Sequence, residues 1–193
     1  MYPIVQAPNE ILRTPTQQVD LPAEKLKKII AGMAETLLAQ DDPEGVGLAA
    51  NQVGLPYQLF LARFTTKKDE PIRVFINPQI IDHSEEIQEE TKKSPLEGCL
   101  SIPKYYGVVQ RWRWVKLRYQ TLTDTDRQGS DKSGYLTTSE EVFSGFPAVV
   151  IQHEMDHLKG KVFVERILEQ NGQLYKTIGK DKKGKDKWQE VKL

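Results

Sequence analysis

The sequence predicts an α+β chain, with mixed or antiparallel β-sheets packed around one central metal-binding helix that carries His-Glu-x-x-His. Three observations lead there. Several stretches have the composition and alternation of strands, among them Tyr57 to Phe64, Ile72 to Asp82 and Val108 to Leu122. One early segment steps its apolar residues by three and four, as an amphipathic helix does. A later apolar approach, Phe146 to Ile151, runs into Gln152-His153-Glu154-Met155-Asp156-His157-Leu158 and ends at Lys159-Gly160, the mark of a buried helix. At 193 residues the chain suits one domain with a proper core.

In chain order, the early helix carries Leu26, Ile29, Ile30, Met33, Leu37 and Leu38, with Asp20 as N-cap, Pro22 in the first turn and Asp41-Asp42-Pro43 as its end. Next comes Glu44 to Gly54. Gly45-x-Gly47-x-x-Ala50 imitates a dinucleotide fingerprint, but an acidic turn and a helix precede it where a strand is required. The better reading is a tight segment whose small residues let backbone approach a ligand and deliver the Gln52 amide to it. The strands Tyr57 to Phe64 and Ile72 to Asp82 flank a polar turn, and Ser84 to Glu90 reads as a further strand or edge. His83 reads as an ordinary solvated position.

Ser94 to Pro103 then breaks the pattern, an irregular loop around Cys99. In Val108 to Leu122, the residues Val115, Leu117 and Tyr119 share a face, and parity puts Arg111 and Arg113 on it too. An inward arginine needs a buried acid, and Glu97 is the candidate. Trp112 and Trp114 fall opposite, with Lys116 and Arg118; a half-exposed strand face explains them better than nucleic-acid stacking does. Asp124 to Ser133 is a polar loop, and Ser144 is placed to cap the last helix, with Pro147 in its first turn. From Lys176 the chain reads as a solvated, mobile, Lys-rich tail.

Composition excludes several classes. With 27 basic and 27 acidic residues the charge is balanced, which argues against a dedicated DNA binder or a membrane-surface protein. No apolar run approaches a membrane span, and Met1-Tyr2-Pro3-Ile4-Val5-Gln6 has neither the basic nor the apolar part of a signal peptide. Cys99 is the single cysteine, so no intrachain disulfide forms, which fits a reducing compartment. Such a cysteine is a nucleophile, a ligand or a small buried hydrophobe.

The chemistry concentrates in the last helix. Residues four apart lie one turn above each other, so His153 and His157 face one ion together. Glu154, beside the first, reaches a water there and serves as general base. Two histidines leave a catalytic site one ligand short, and a Cys99 thiolate completes it. One sulfur and two imidazoles suit zinc or iron(II), and the donor set alone does not choose.

Three segments, Gly45 to Gln52, Glu97 to Ser101 and Gln152 to His157, stand in order as Gly-x-Gly-x-Ala-Ala-x-Gln, Glu-Gly-Cys-x-Ser and Gln-His-Glu-x-x-His. In that trio the chain resembles the peptide deformylases over nearly its whole length to about Arg166. The resemblance implies removal of the formyl group from the N-terminal formylmethionine of new polypeptides, with release of formate. It implies one divalent metal ion on Cys99, His153 and His157, usually Fe(II) in the cell and replaceable by Ni, Co or Zn. Glu154 would take a proton from the metal-bound water and pass it to the leaving amine. The Gln52 amide and the Leu100 N–H would hold the developing oxyanion. Gly47 and Gly98 would sit beside the substrate backbone, and Val46, Val149 and Val150 would line the methionine pocket. The inferred Glu97–Arg111 pair matches the brace the family places behind the Cys loop.

Asn51 occupies the variable slot of the first motif, so little is expected of it. Lys104-Tyr105-Tyr106 and Trp112-Arg113-Trp114 depart from the usual pattern and bear on substrate residues beyond methionine. The expected protein is a cytoplasmic, monomeric enzyme with residues 1–175 as catalytic domain and 176–193 as tail, its partners formylated nascent chains. A basic tail also suits docking on the ribosome. Two other readings are weaker. A metallopeptidase of this motif takes a third ligand downstream, whereas Cys99 lies upstream. A binding protein that has lost catalysis should show a damaged motif, and none of Gln52, Cys99, His153, Glu154 or His157 is missing.

Overall fold

A computed structural model describes residues 1–41, 43–65, 70–88, 96–123, 135–180 and 184–192. In order they form α1 (Ala23–Leu38), β1 (Gly47–Ala49), β2 (Leu59–Ala62), β3 (Arg73–His83), β4 (Glu97–Cys99) and β5 (Ile102–Gly107). There follow β6 (Trp114–Thr123), β7 (Tyr135–Ser144), α2 (Phe146–Leu158), α3 (Phe163–Glu169), β8 (Leu174–Lys180) and β9 (Asp186–Val191). Five strands make one sheet in the order β1-β2-β3-β6-β7, and four make another, β4-β5-β8-β9. Every ladder within these sheets is antiparallel.

The larger sheet lies between two helices, and its central strands record this. β2 is buried at all four positions. Leu59 and Leu61 join Leu26, Ile29, Met33 and Leu37 of α1 on one side. Phe60 and Ala62 join Ala148, Val150, Ile151 and Met155 of α2 on the other. Burying each large side chain of this kind contributes about 2 kcal/mol. The smaller sheet packs on α3, where Cys99, Phe163, Ile167 and Leu174 form a separate cluster.

Several local expectations change. The N-cap of α1 is Pro22, whose carbonyl accepts from Lys25 and Leu26; Asp20 lies too far upstream to cap it. Gly145 (φ 63°) is the N-cap of α2 in place of Ser144, which ends β7, while Pro147 sits in the first turn as expected. Only Ile87 of Ser84 to Gln88 forms a bridge, to Trp112, and positions 89 and 90 lie outside the described residues. Cys99 sits in a hairpin and not in an irregular loop: β4 turns tightly into β5 through Leu100-Ser101, with a register shift between Gly98 and Cys99. Ser94, Pro95 and the loop at 124–134 lie outside the described residues.

Regular β6 pairing begins at Trp114, so parity fails for the residues before it. Arg111 is buried, but Arg113 reaches outward to Glu86 at 2.8 Å, its side chain 65% exposed. The stretch from Lys176, expected as a mobile tail, supplies most of β8 and all of β9. Leu174 and Val191 anchor that hairpin against α3, and its lysines hid the strand pattern between them.

Candidate metal centre

The metal-ligand atoms of Cys99, His153 and His157 all lie within 4.8 Å of one another. The sulfur arrives on the β4–β5 hairpin, the two imidazoles on α2, one turn apart with ring centroids 5.0 Å from each other. His157 Nε2 is 3.2 Å from Cys99 Sγ. His153 Nδ1 lies 3.0 Å from Glu97 Oε2, and because an ionised carboxylate only accepts, Nδ1 is the donor in that contact and Nε2 is the nitrogen left for a metal. Burial opposes the Cys99 thiolate, yet the His157 charge and the hydrogen bonds from His153 and His157 hold its pKa well below the usual thiol range. A thiolate beside two imidazoles is a donor set that fits one cation.

Glu154 sits on the same helix beside His153. Burial raises its pKa to about 7, the charges of His153 and His157 offsetting this only in part. Its Oε2 is buried and without a hydrogen-bond partner among the described residues. Gly47 faces its other oxygen so closely that a Cβ at position 47 would fall on Oε1. Gln52 is fixed from behind: Oε1 accepts from the Ala49 N–H at 2.8 Å. Its Nε2 then points to Cys99 Sγ at 3.3 Å and Ser101 Oγ at 3.2 Å. The N-terminal segment ties both neighbours together, Val5 N–H to the Gln52 carbonyl and Ala7 N–H to that of Ser101.

A cleft of about 230 Å³ opens on these groups. One bank is α2, with Val149, Val150, His153 and Glu154; the other is the hairpin, with Gly98, Cys99 and Leu100; Val46, Gly47 and Gln52 close the end. Every residue expected as a metal ligand, proton carrier, oxyanion donor or substrate contact lines it except His157, which is buried beneath. His83 is elsewhere, stacked on Trp112 at 3.7 Å.

Behind the site runs an ion network that the sequence revealed only in part. Arg111 donates through Nε and Nη2 to both oxygens of Glu97, at 2.8 and 2.9 Å, as the pairing argument required. Its Nη1 also reaches Asp156 at 2.6 Å, and Arg166 of α3 donates to the same carboxylate at 3.0 Å. Burial works against both acids, but Arg111 and His153 hold Glu97 down at about 2, and Arg166 and Arg111 hold Asp156 at about 2. Asp156 is an acid inside an apolar helix, and that was the available signal for it; Arg166 offered none. Asn51 was missed as well. It is fully buried, and its Nδ2 donates to the His157 carbonyl at 2.7 Å, so this slot holds the end of the metal helix. Tyr106 and Phe146 complete the mouth of the cleft.

Comparison with known proteins agrees with this geometry. The family model described as polypeptide deformylase matches residues 1–173. A peptide deformylase of Aquifex aeolicus is 38% identical over 166 residues, 85% of this chain and 86% of the relative. That of Teredinibacter turnerae is 38% identical over 167 residues, 86% of this chain and 87% of its own. Among solved structures, the Synechococcus elongatus peptide deformylase in complex with actinonin superposes with a TM-score of 0.69 at 32% identity, covering 86% of this chain and 79% of that one. The Thermotoga maritima peptide deformylase gives 0.67 at 31%, covering 86% and 97%.

Proposed function

The chain belongs to the polypeptide deformylase family and removes the N-formyl group from newly made polypeptides, and we propose that it does so in the cleft between α2 and the β4–β5 hairpin. One observation carries the assignment: a buried carboxylate, its Oε2 without a hydrogen-bond partner among the described residues, opens on the same cleft as a three-donor metal set.

The site takes a single catalytic metal, assigned to Cys99 Sγ and the two imidazoles. Bound there, the cation supplies Lewis acidity, making water more acidic and the formyl carbonyl more electrophilic. We read it as iron(II), with zinc, nickel or cobalt able to replace it, because a soft sulfur with two nitrogens suits each of them. Glu154 accepts the proton of the attacking water at Oε2 and delivers it to the departing amine nitrogen. A carboxyl whose proton affinity is raised by burial can take the proton and give it back. Gln52 Nε2 and the Leu100 N–H donate to the carbonyl oxygen as charge gathers on it. Val46, Val149 and Val150 enclose the methionine side chain, and Gly47 and Gly98 leave room for the substrate backbone.

No helix of the described residues is long and apolar enough to cross a membrane. We place the enzyme in the cytoplasm as a monomer, and read the exposed lysines of its β8–β9 end as a contact for the ribosome. Ribosome binding of unchanged strength and salt dependence after Lys180→Gln, Lys185→Gln and Lys187→Gln together would sink that last reading. The direct test is formate release from formyl-Met-Ala-Ser by protein purified without oxygen, with metal quantified on the same sample. Formate in step with one metal per chain is the expected result; intact metal without formate would overturn the assignment.

A further inference from the structure

The Lys104-Tyr105-Tyr106 stretch sends one ring to the mouth of the cleft. Tyr106 lines it from β5, directly across the ladder from Gly98. A Cβ at Gly98 would lie 2.5 Å from Tyr106 Cε1, so the ring rests on the bare backbone beside Cys99. The register continues outward from Tyr106 to Tyr175 of β8 and from Tyr175 to Glu190 of β9. Residues directly opposite share a face, and so do residues two apart along a strand, which puts Trp188 on the same face as Tyr106. The two rings meet edge to face, with centroids 5.1 Å apart and planes at 90°. β9 lies wholly beyond residue 173, where the family match ends.

We propose that the β8–β9 hairpin is a substrate-positioning element, in which Trp188 braces Tyr106 as the wall that receives the peptide beyond its methionine. The inference rests on the deformylase cleft assigned above. The reacting carbonyl must lie between Cys99 and Glu154, and the methionine side chain goes to the valines of the α2 bank. The following residues then leave along the hairpin bank, where Tyr106 stands. Its ring has the bare Gly98 backbone on one side, so its tilt is set by what bears on it from the sheet face. Trp188 bears on it there: it is 44% exposed, carries no donor to the metal set and does not line the cleft, so it acts through Tyr106.

The test compares kcat and KM on formyl-methioninamide and on formyl-Met-Ala-Ser for the parent, Trp188→Ala, Trp188→Phe, Tyr106→Leu and Tyr106→Leu/Trp188→Ala. Trp188→Ala should lower the preference for the tripeptide about two- to tenfold, the loss appearing in KM, since an edge-to-face pair has that strength. Trp188→Phe, which keeps an aromatic edge, should restore most of the preference. In the Tyr106→Leu background, Trp188→Ala should change nothing further. An unchanged preference, equal losses on both substrates, or additive effects of the two changes would each overturn the role of Trp188. No formate from the parent on either substrate would overturn the deformylase site and this inference with it.

Discussion

Gly47 and Glu154 fix each other, and the proposed mechanism depends on both. The carboxylate has its position because position 47 carries no side chain. Gly47→Ala should therefore move Glu154, leave the bound metal in place and cut formate release about 10²-fold, the scale of a small misplacement of a reacting group. Glu154→Ala removes the proposed proton carrier itself and should cost on the order of 10² to 10⁴ in kcat, again with metal retained. Metal analysis beside the rates separates these from damage to the ligands; near-parental turnover by Glu154→Ala would remove Glu154 from the mechanism. These residues were legible because helical pitch alone aligns His153 with His157 and sets Glu154 beside them. Asn51 was not, because a short polar side chain becomes structural only when the fold brings a carbonyl to it, here that of His157 from 106 residues away.

Elements were legible where one face decides them. The apolar stripe of α1 and the approach to α2 announced helices, and β3 and β6 announced strands. Legibility failed where regular pairing stopped: parity assigned Arg113 inward together with Arg111, but the ladder starts only at Trp114. Likewise the lysines of β8 and β9 concealed a hairpin held by Leu174 and Val191. Arg111 links the β4–β5 hairpin to α2 through Glu97 and Asp156, both buried. Arg111→Ala leaves two carboxylates short of a partner and should destabilise the fold by about 3–5 kcal/mol, read from denaturant unfolding. A loss below about 1 kcal/mol would show that Arg166 and His153 suffice without it.

For the molecule as a whole, that network sets its response to acid. Glu97 titrates near 4.5 when unfolded and about 2 when folded, and Asp156 falls from 3.8 to about 2. Both bind protons more readily unfolded, so their contribution is whole above about pH 4.5 and is lost as the pH falls toward about 2. Unfolding of the metal-free protein, followed by circular dichroism, should show stability declining through that window; a flat profile there would count against the network. Adding metal above that window should raise Tm in proportion to the logarithm of its free concentration, since only the folded chain gathers all three donors. The sulfur rides on the small sheet over α3, and both imidazoles ride on the helix of the large sheet. A cation there is a rivet through a joint, and its hold gauges how firmly the two plates are seated. Trimming Ile167 to valine, below Cys99 and away from the cleft, slackens one plate alone. A chelator should then strip the ion faster, while each chain still riveted keeps the parent's turnover.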